Sequence, residues 1–377
     1  MPLVSRHPAV VLLLLLLLAG CSEAPKPLPS PVTLEGDIFG TFYQVTIADP
    51  ITGERRDALE AGILAELAAV DAAMSTYRDD AELVAFNQAP VGEWQSLSAP
   101  LIEVLAIARS VARSSGGAFD VTVGGLVNLW SFGPEARPRA VPDAATIAAR
   151  LAEVGMDTLE LDVDEGRARR LRDVFVDLSG VAKGHATDRV AAYLSAQGLE
   201  HYLVNLGGEL KVAGFRDAEQ APWRIGIEVP RDGRPQAQHV LALQDTSVAT
   251  SGDYRNYFEE DGRRYSHTID PRTGRPIRHR LASVTVMHPS NARADAWSTA
   301  MTVLGEEEGM ALARQEALAV LMLVRDGDGW RSLASPAFAE RLGESVVEEL
   351  GLEVADEPGR DDQARADVDA ASANTLE

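Results

Sequence analysis

Asp295 and Thr299 lie four residues apart in the stretch ADAWSTA at 294–300, within a segment of helical periodicity. That spacing makes them neighbours on one helix face. A carboxylate beside a hydroxyl offers two hard oxygen donors, a pair suited to Mg2+, which keeps several waters and takes few protein ligands. The predicted helix runs from about Ala292 to Leu304, with Trp297, Ala300, Met301 and Leu304 as an apolar stripe and Asp295, Thr299 and Thr302 on the opposite side. A side facing only water would favour Lys, Glu or Gln over Thr on helix propensity. The plainer alternative is an Asp near a helix start and an exposed Thr.

Other segments carry chemistry less distinctly. VDLSGVAKGHATD at 176–188 reads as a buried strand that breaks at Ser179 and Gly180 into a helix. A helix start exposes backbone N–H groups and the positive end of the dipole, a natural seat for phosphate. Lys183 in that first turn has the wrong sign for the dipole unless an anion sits between them; otherwise it is a solvated Lys behind a Ser cap. SHTIDPRTGRP at 266–276 joins His267 to an Asp-Pro turn and a Gly at a position needing positive φ. A histidine titrating near neutrality suits proton transfer, although a structural role is the commoner one. GGAFDVTVGGLVNLW at 116–130 sets Asp120 just after a glycine pair, and LVNLGGEL at 203–210 is a turn or a close approach of backbone. Standard nucleotide, zinc and serine-hydrolase signatures are absent.

The elements that must position these residues follow from periodicity. GTFYQVTIAD alternates as a strand, and Asp57–Ala73 has helical spacing, so a strand followed by a helix opens the domain. MSTYRDDAELVAFN is a turn entering a short helix, and a second long helix spans Pro100–Arg113 and stops at SSGG. Strands are predicted at Thr158–Val163, Val174–Leu178 and Tyr202–Leu206, with a helix over Val181–Ala196. Short strands between Gly, Asp and Pro turns continue to about Val286, which predicts a mainly antiparallel sheet. Helices and sheets without regular βα alternation make the fold class α+β.

The 377 residues, 46% hydrophobic and 24% charged, suffice for a substantial core. A formal charge of −22, from 35 Lys and Arg against 57 Asp and Glu, argues against nucleic-acid binding, which needs a basic face. Residues 1–20 read as a signal peptide: Arg6 precedes an apolar run, Ala9 to Ala19, too short to span a bilayer. The run ends in LAGC at Leu18–Cys21, which resembles a bacterial lipobox, with Cys21 lipidated and made the mature N-terminus. Cys21 is the only cysteine, so no intramolecular disulfide staples the fold. Residues 21–32, with prolines at 25, 27, 29 and 31, are a stiff tether. Residues 33–352 then form the domain, and 353–377, with eight acidic and two basic residues, a disordered acidic tail.

Taken together and in order, GTFYQV, MSTYRDDAEL, FDVTVGGLVNLWSFGP, VDLSGVAKGHATD, YLVNLGGEL, ATSGDYRNYF, SHTIDPRTGRP and ADAWSTA resemble the ApbE family of FAD:protein FMN transferases, periplasmic lipoproteins. The resemblance implies an α+β flavin-transferase fold that binds FAD with Mg2+ and moves the FMN half onto a Thr or Ser of an acceptor protein, releasing AMP. It implies acceptors that are subunits of membrane redox complexes and a protein lipid-anchored on the periplasmic side of a bacterial membrane. Carried over by motif, Asp295, Thr299 and the main-chain carbonyl of Gly180 would ligate the metal. FAD contacts would come from Phe39, Thr76, Tyr77, Arg78, Asp120, Lys183 and Ile269, and His267 would be the catalytic base.

The chain departs from the family pattern at several positions. Phe39 stands where Met is usual, Ala81 where Ser is, Gly125 where Pro is, Ser131 where Gly is, and His185 where Tyr is. None removes a metal-ligating side chain, while His185 would add a pH dependence. Two other activities remain open on the residues alone: hydrolysis of FAD to FMN and AMP, with water replacing the acceptor hydroxyl, and non-enzymatic flavin storage by a tethered binder.

Overall fold

A hairpin, not a lone strand, opens the domain. The structure, a computed structural model, describes residues 26–135, 138–230, 236–252 and 256–355. Strand β1 (Val32–Ile38) pairs antiparallel with β2 (Thr41–Ile47), so the chain enters the sheet at the last residue assigned to the tether. Leu28 N–H already donates to Ile51 O at 2.8 Å, which lays the end of the proline-rich segment against the body. The signal peptide, Cys21 and most of the acidic tail fall outside the described residues.

The main sheet continues in chain order through β3 (Tyr202–Leu206), β4 (Glu209–Ala213), β5 (Thr246–Gly252), β6 (Leu281–His288), β7 (Ala319–Asp326), β8 (Gly329–Ala334) and β9 (Glu353–Val354). Each neighbour pair is antiparallel except β8 with β9. The first two residues of the acidic stretch therefore end the sheet. Helices α1 (Gly53–Met74), α2 (Ala99–Ser114), α3 (Ala182–Ala196) and α4 (Asn291–Gln315) contribute to the core on one face of the sheet.

Period-two alternation explains how both faces are buried. Val320, Met322 and Val324 of β7 enter the core shared with the helices. Ala319, Leu321 and Leu323 enter a second core with the hairpin Trp223–Glu228/Ala237–Leu243 and with Phe338 and Val347 of two short terminal helices. A strand covered on both sides reads as a continuous apolar run, which AVLMLV is. A third, smaller core gathers Leu126, Trp130, Ile147, Phe258, Tyr265 and Ile269. The mixture is α+β.

Val174–Leu178 does not form the predicted strand. Val174, Val176 and Leu178 are buried as the alternation requires, but among the described residues the backbone contacts to the neighbouring segment amount to a bridge between Phe175 and Val123 and a bond from Asp177 N–H to Val121 O at 2.8 Å, too few for a strand. The Asn87 side chain takes the place of a strand edge: Val176 N–H donates to Asn87 Oδ1 at 2.8 Å, and Asn87 Nδ2 donates to Val176 O at 2.9 Å. The helix predicted to end near Leu304 is interrupted at Gly305 (φ 80°, ψ −176°), after which a further helical segment runs to Gln315.

Candidate active site

All eleven residues singled out from the sequence line one cavity of about 1020 Å³. It lies over one end of the main sheet. Phe39 comes from the β1–β2 turn, where its backbone is left-handed (φ 51°), and at the same end Gly207 comes from the β3–β4 turn and Glu209 is the first residue of β4. Thr76, Tyr77 and Arg78 follow the end of α1, Gly180 and Lys183 begin α3, and Asp295 and Thr299 project from α4.

Helices α3 and α4 meet backbone to backbone at Gly184. A Cβ there would come within 2.5 Å of Asn291 O and 2.8 Å of Ala292 Cα, so only glycine allows the approach. The contact lets Gly184 N–H donate to Asp295 Oδ2 at 2.9 Å. Asp295 is only 3% exposed, which sets aside the surface alternative. Burial raises its pKa, opposed by the charge of Lys183 and the Gly184 hydrogen bond. Gly180 backs directly onto Thr299, whose Oγ1 lies 3.1 Å from where a Gly180 Cβ would stand.

Hydroxyl protons fix how Thr299 faces the cavity. Ser298 Oγ donates to Asp295 O at 2.9 Å, which uses its one proton. Ser251 Oγ, 2.7 Å away, must then donate to Ser298, which leaves it an acceptor toward Thr299 Oγ1 at 3.5 Å. The Thr299 lone pairs are thereby left for the cavity.

Lys183 is paired, not solvated. Its Nζ lies 2.5 Å from Glu209 Oε1, and its side chain keeps 35% of its exposure while Glu209 keeps 3%. Burial would lower the Lys183 pKa, but Glu209 and Asp295 hold it above the usual lysine range. Burial, reinforced by Asp295 and opposed by Lys183, pushes Glu209 up to about 7. Glu209 Oε2 is buried without a hydrogen-bond partner.

The remaining wall carries further anchored groups. Asp120 accepts from Thr122 N–H at 2.8 Å and from Thr122 Oγ1 at 2.6 Å, yet burial raises its pKa. Asp177 accepts from Ser179 N–H at 2.8 Å and tightens the turn before α3. Arg78 is clamped by Asp71 at 3.0 Å and Asp80 at 2.9 Å. Tyr77 beside it is 72% exposed, an aromatic face presented at the cavity rim.

His267 is oriented by its Nδ1, which lies 3.0 Å from Asn256 O. A carbonyl oxygen only accepts, so Nδ1 carries the proton and the neutral ring's lone pair sits on Nε2. Its ring also meets the edge of Phe132 at 6.3 Å, and Phe132 leads through Phe258 and Tyr265 to Trp130 by centroid steps of 5.5, 5.2 and 5.7 Å. Trp130 Nε1 donates to Gly274 O at 2.9 Å, pinning the turn that follows Ile269. Gly274 has the positive φ (69°) the sequence requires there.

Glu209, Asp177 and Ser251 are cavity residues that sequence reading passed over. Glu209 stood inside the LGGEL block that was read only for its glycines, and Ser251 inside ATSGDYRNYF; nothing local marked either. Among the described lining residues, Asp71, Asp120, Asp177, Glu209 and Asp295 stand against Arg78 and Lys183, a formal excess of three negative charges. No group of three or more His, Cys, Asp or Glu able to hold a metal occurs among the described residues.

Comparison with known proteins places the chain among its relatives. The model of the ApbE family matches residues 39–322. The FAD:protein FMN transferase of Vibrio cholerae is 44% identical over 334 residues, covering 88% of this chain and 98% of its own. That of Escherichia coli K12 is 38% identical over 335 residues, covering 87% and 95%. Among solved structures, flavin transferase ApbE from Vibrio cholerae superposes with a TM-score of 0.75 at 41% identity, covering 82% of this chain and 99% of that one. The apo Pseudomonas stutzeri flavinyl transferase ApbE gives 0.76 at 39% identity, covering 84% and 98%.

Proposed function

The chain belongs to the ApbE family and, as a FAD:protein FMN transferase, moves the FMN half of FAD onto an acceptor protein; we propose that it does so with Mg2+, onto a Thr or Ser hydroxyl, with AMP as the other product. The observation that carries this reading is the convergence of all eleven residues on one cavity in which, among the described residues, carboxylates outnumber cations by five to two. A cavity of that sign repels a diphosphate unless a divalent cation enters with it.

The residues present fit such an ion. Asp295 and Thr299 offer oxygens one helical turn apart, Gly180 backs onto Thr299, and the hydroxyl relay from Ser251 leaves Thr299 lone pairs available. So sparse a protein donor set suits Mg2+, which completes its shell with water and substrate phosphate oxygens. When bound, the ion supplies charge neutralisation on the diphosphate and on the departing AMP.

The chain's own residues do the rest. Lys183, at the start of α3, meets phosphate oxygens together with the helix N-terminus. Tyr77, Thr76, Arg78, Phe39, Asp120 and Ile269 hold the two halves of FAD so that the phosphorus is presented to the acceptor hydroxyl, since phosphoryl transfer needs chiefly position and neutralised charge. His267, with its lone pair on Nε2, takes the hydroxyl proton as the oxygen–phosphorus bond forms and the bond to AMP breaks. The acceptors are subunits of membrane redox complexes. The protein stands on the periplasmic side, tethered through lipidated Cys21, a reading supported by LAGC and the short apolar run. No helix among the described residues is long and apolar enough to cross a membrane.

Incubation of the protein with FAD, Mg2+ and a purified acceptor domain tests the reaction. The expected result is a covalently fluorescent acceptor band on a denaturing gel, lost with EDTA, with one AMP per band formed. Rapid AMP release with no acceptor present would instead make the protein a FAD pyrophosphatase, and flavin binding with no AMP in either case would make it a binder.

A further inference from the structure

We infer that Glu209 is a positioning and specificity-determining residue: it keeps Lys183 engaged against a lone anion, so that the cavity admits a diphosphate only together with its divalent cation. The inference rests on reading this cavity as the site of the FAD diphosphate. Lys183 lies in the first turn of α3, where the helix N-terminus already favours an anion. An unpaired ammonium there would make a ready seat for any phosphate or sulfate. Instead Lys183 Nζ is held at 2.5 Å by a carboxylate from the first residue of β4.

The form of that pair distinguishes it from a simple anchor. Glu209 is 2% exposed and lines the cavity, and its Oε2 is buried with no hydrogen-bond partner. A buried ion pair with one unsatisfied oxygen contributes little stability, and a neutral pair of the same shape would serve the fold as well. What the carboxylate adds is charge. Above its pKa of about 7 it cancels Lys183 in the absence of ligand and, with the Asp295 carboxylate adding to its repulsion, leaves no net positive charge at the phosphate end of the cavity. An incoming diphosphate must compete with Glu209 for Lys183 and also face its repulsion. A metal-bound diphosphate brings positive charge that the two carboxylates attract, so the same residue that hinders the bare anion tolerates the complex.

FAD titrations of the full-length protein at about pH 8.5, where Glu209 is ionised, followed by flavin fluorescence in EDTA and in Mg2+, test this. In Glu209→Gln the affinity for FAD in EDTA is expected to rise at least about tenfold, and the ratio of affinities with and without Mg2+ to narrow by the same factor. An EDTA affinity equal to or below that of the wild type would overturn the inference. Should Glu209→Gln fail to fold, Glu209→Met, which removes the carboxylate but keeps a side chain of similar length beside Lys183, is titrated in its place. The same rise in EDTA affinity is expected, and an affinity equal to or below that of the wild type would overturn the inference. Wild-type protein that bound FAD equally well in both buffers would sink the metal reading itself, a result visible without any variant.

Discussion

The two sides of the cavity are built differently. On one side α3 and α4 touch through bare backbone at Gly184, and Lys183, Glu209 and Asp295 are fixed by that contact and by each other. On the other side His267 donates from Nδ1 to Asn256 O and meets the edge of Phe132, at the end of a row of ring contacts in a small separate core. A crossing held by backbone contact cannot adjust to its ligand, so substitutions there should act on binding. A ring on a satellite core is a separable attachment, so substitutions there should act on rate while leaving the binding half intact. The division matches the chemistry: charge must be placed before the reaction, whereas a proton need only be taken during it.

The sharpest way to break this division is Asp295→Ala. Mg2+-dependent FMN transfer should be abolished, and circular dichroism and melting should show a folded protein. Loss of the carboxylate leaves Gly184 N–H unpartnered, which costs about 1–3 kcal/mol, but it also removes a buried charge whose pKa the fold itself raises. Full transfer activity in this variant would remove the metal from the proposed site. Next in size is His267→Ala, for which turnover should fall by about 10²–10⁴ while FAD affinity stays that of the wild type. Unchanged turnover would exclude His267 as base, and a matching loss of FAD affinity would show that the two halves are not separable after all.

The difference between the halves also decided what could be read in the sequence. Asp295, Thr299 and Lys183 were legible because helical spacing fixes which side chains share a face, and because a lysine at a helix start has the wrong sign for its position. Glu209 was not, since its role arises only when the start of β4 is brought across to α3, a contact 26 residues away in the chain. His267 was visible as a residue type, but the row of rings behind it joins residues near 130 to residues near 260, which periodicity does not reveal. Val174–Leu178 misled for a related reason: its alternation reports burial correctly, while Val176 pairs with the Asn87 side chain and the other edge meets Val121 and Val123 only locally, so no ladder forms.

His185 lies one residue beyond Gly184 and sharpens the comparison through pH. It is 2% exposed, its Nε2 has no partner, and burial lowers its pKa from the ordinary 6.5. The folded protein therefore keeps it neutral at a pH where the unfolded chain has already bound a proton. The stability this contributes is present above about 6.5 and is lost as pH falls below it toward the folded value. His185→Tyr, which restores the residue usual in the family, should flatten the fall in melting temperature between about pH 7 and pH 5. An unchanged pH profile would mean that other groups at the crossing set its acid sensitivity.

The smallest effect is expected farthest from the crossing. Ala81 is the N-cap of the short helix Glu82–Gln88, at φ −73° and ψ 145°, and makes no side-chain capping bond. The neighbouring Glu82 does not substitute, because its carboxylate is committed to Ser98 N–H and Ser98 Oγ, both at 2.6 Å. Ala81→Ser places an acceptor where the helix has unpaired N–H groups and should add about 1 kcal/mol, read by urea unfolding. Ala81 is only 1% exposed, so the hydroxyl will be buried, and the gain appears only if it reaches those N–H groups. Because the preceding turn, Thr76–Arg78, forms part of the cavity wall while Ala81 does not, transfer rates should stay constant as stability rises. A change in rate with the cap restored would show that the Tyr77 rim is tuned through this helix, and that the cavity has a third adjustable side.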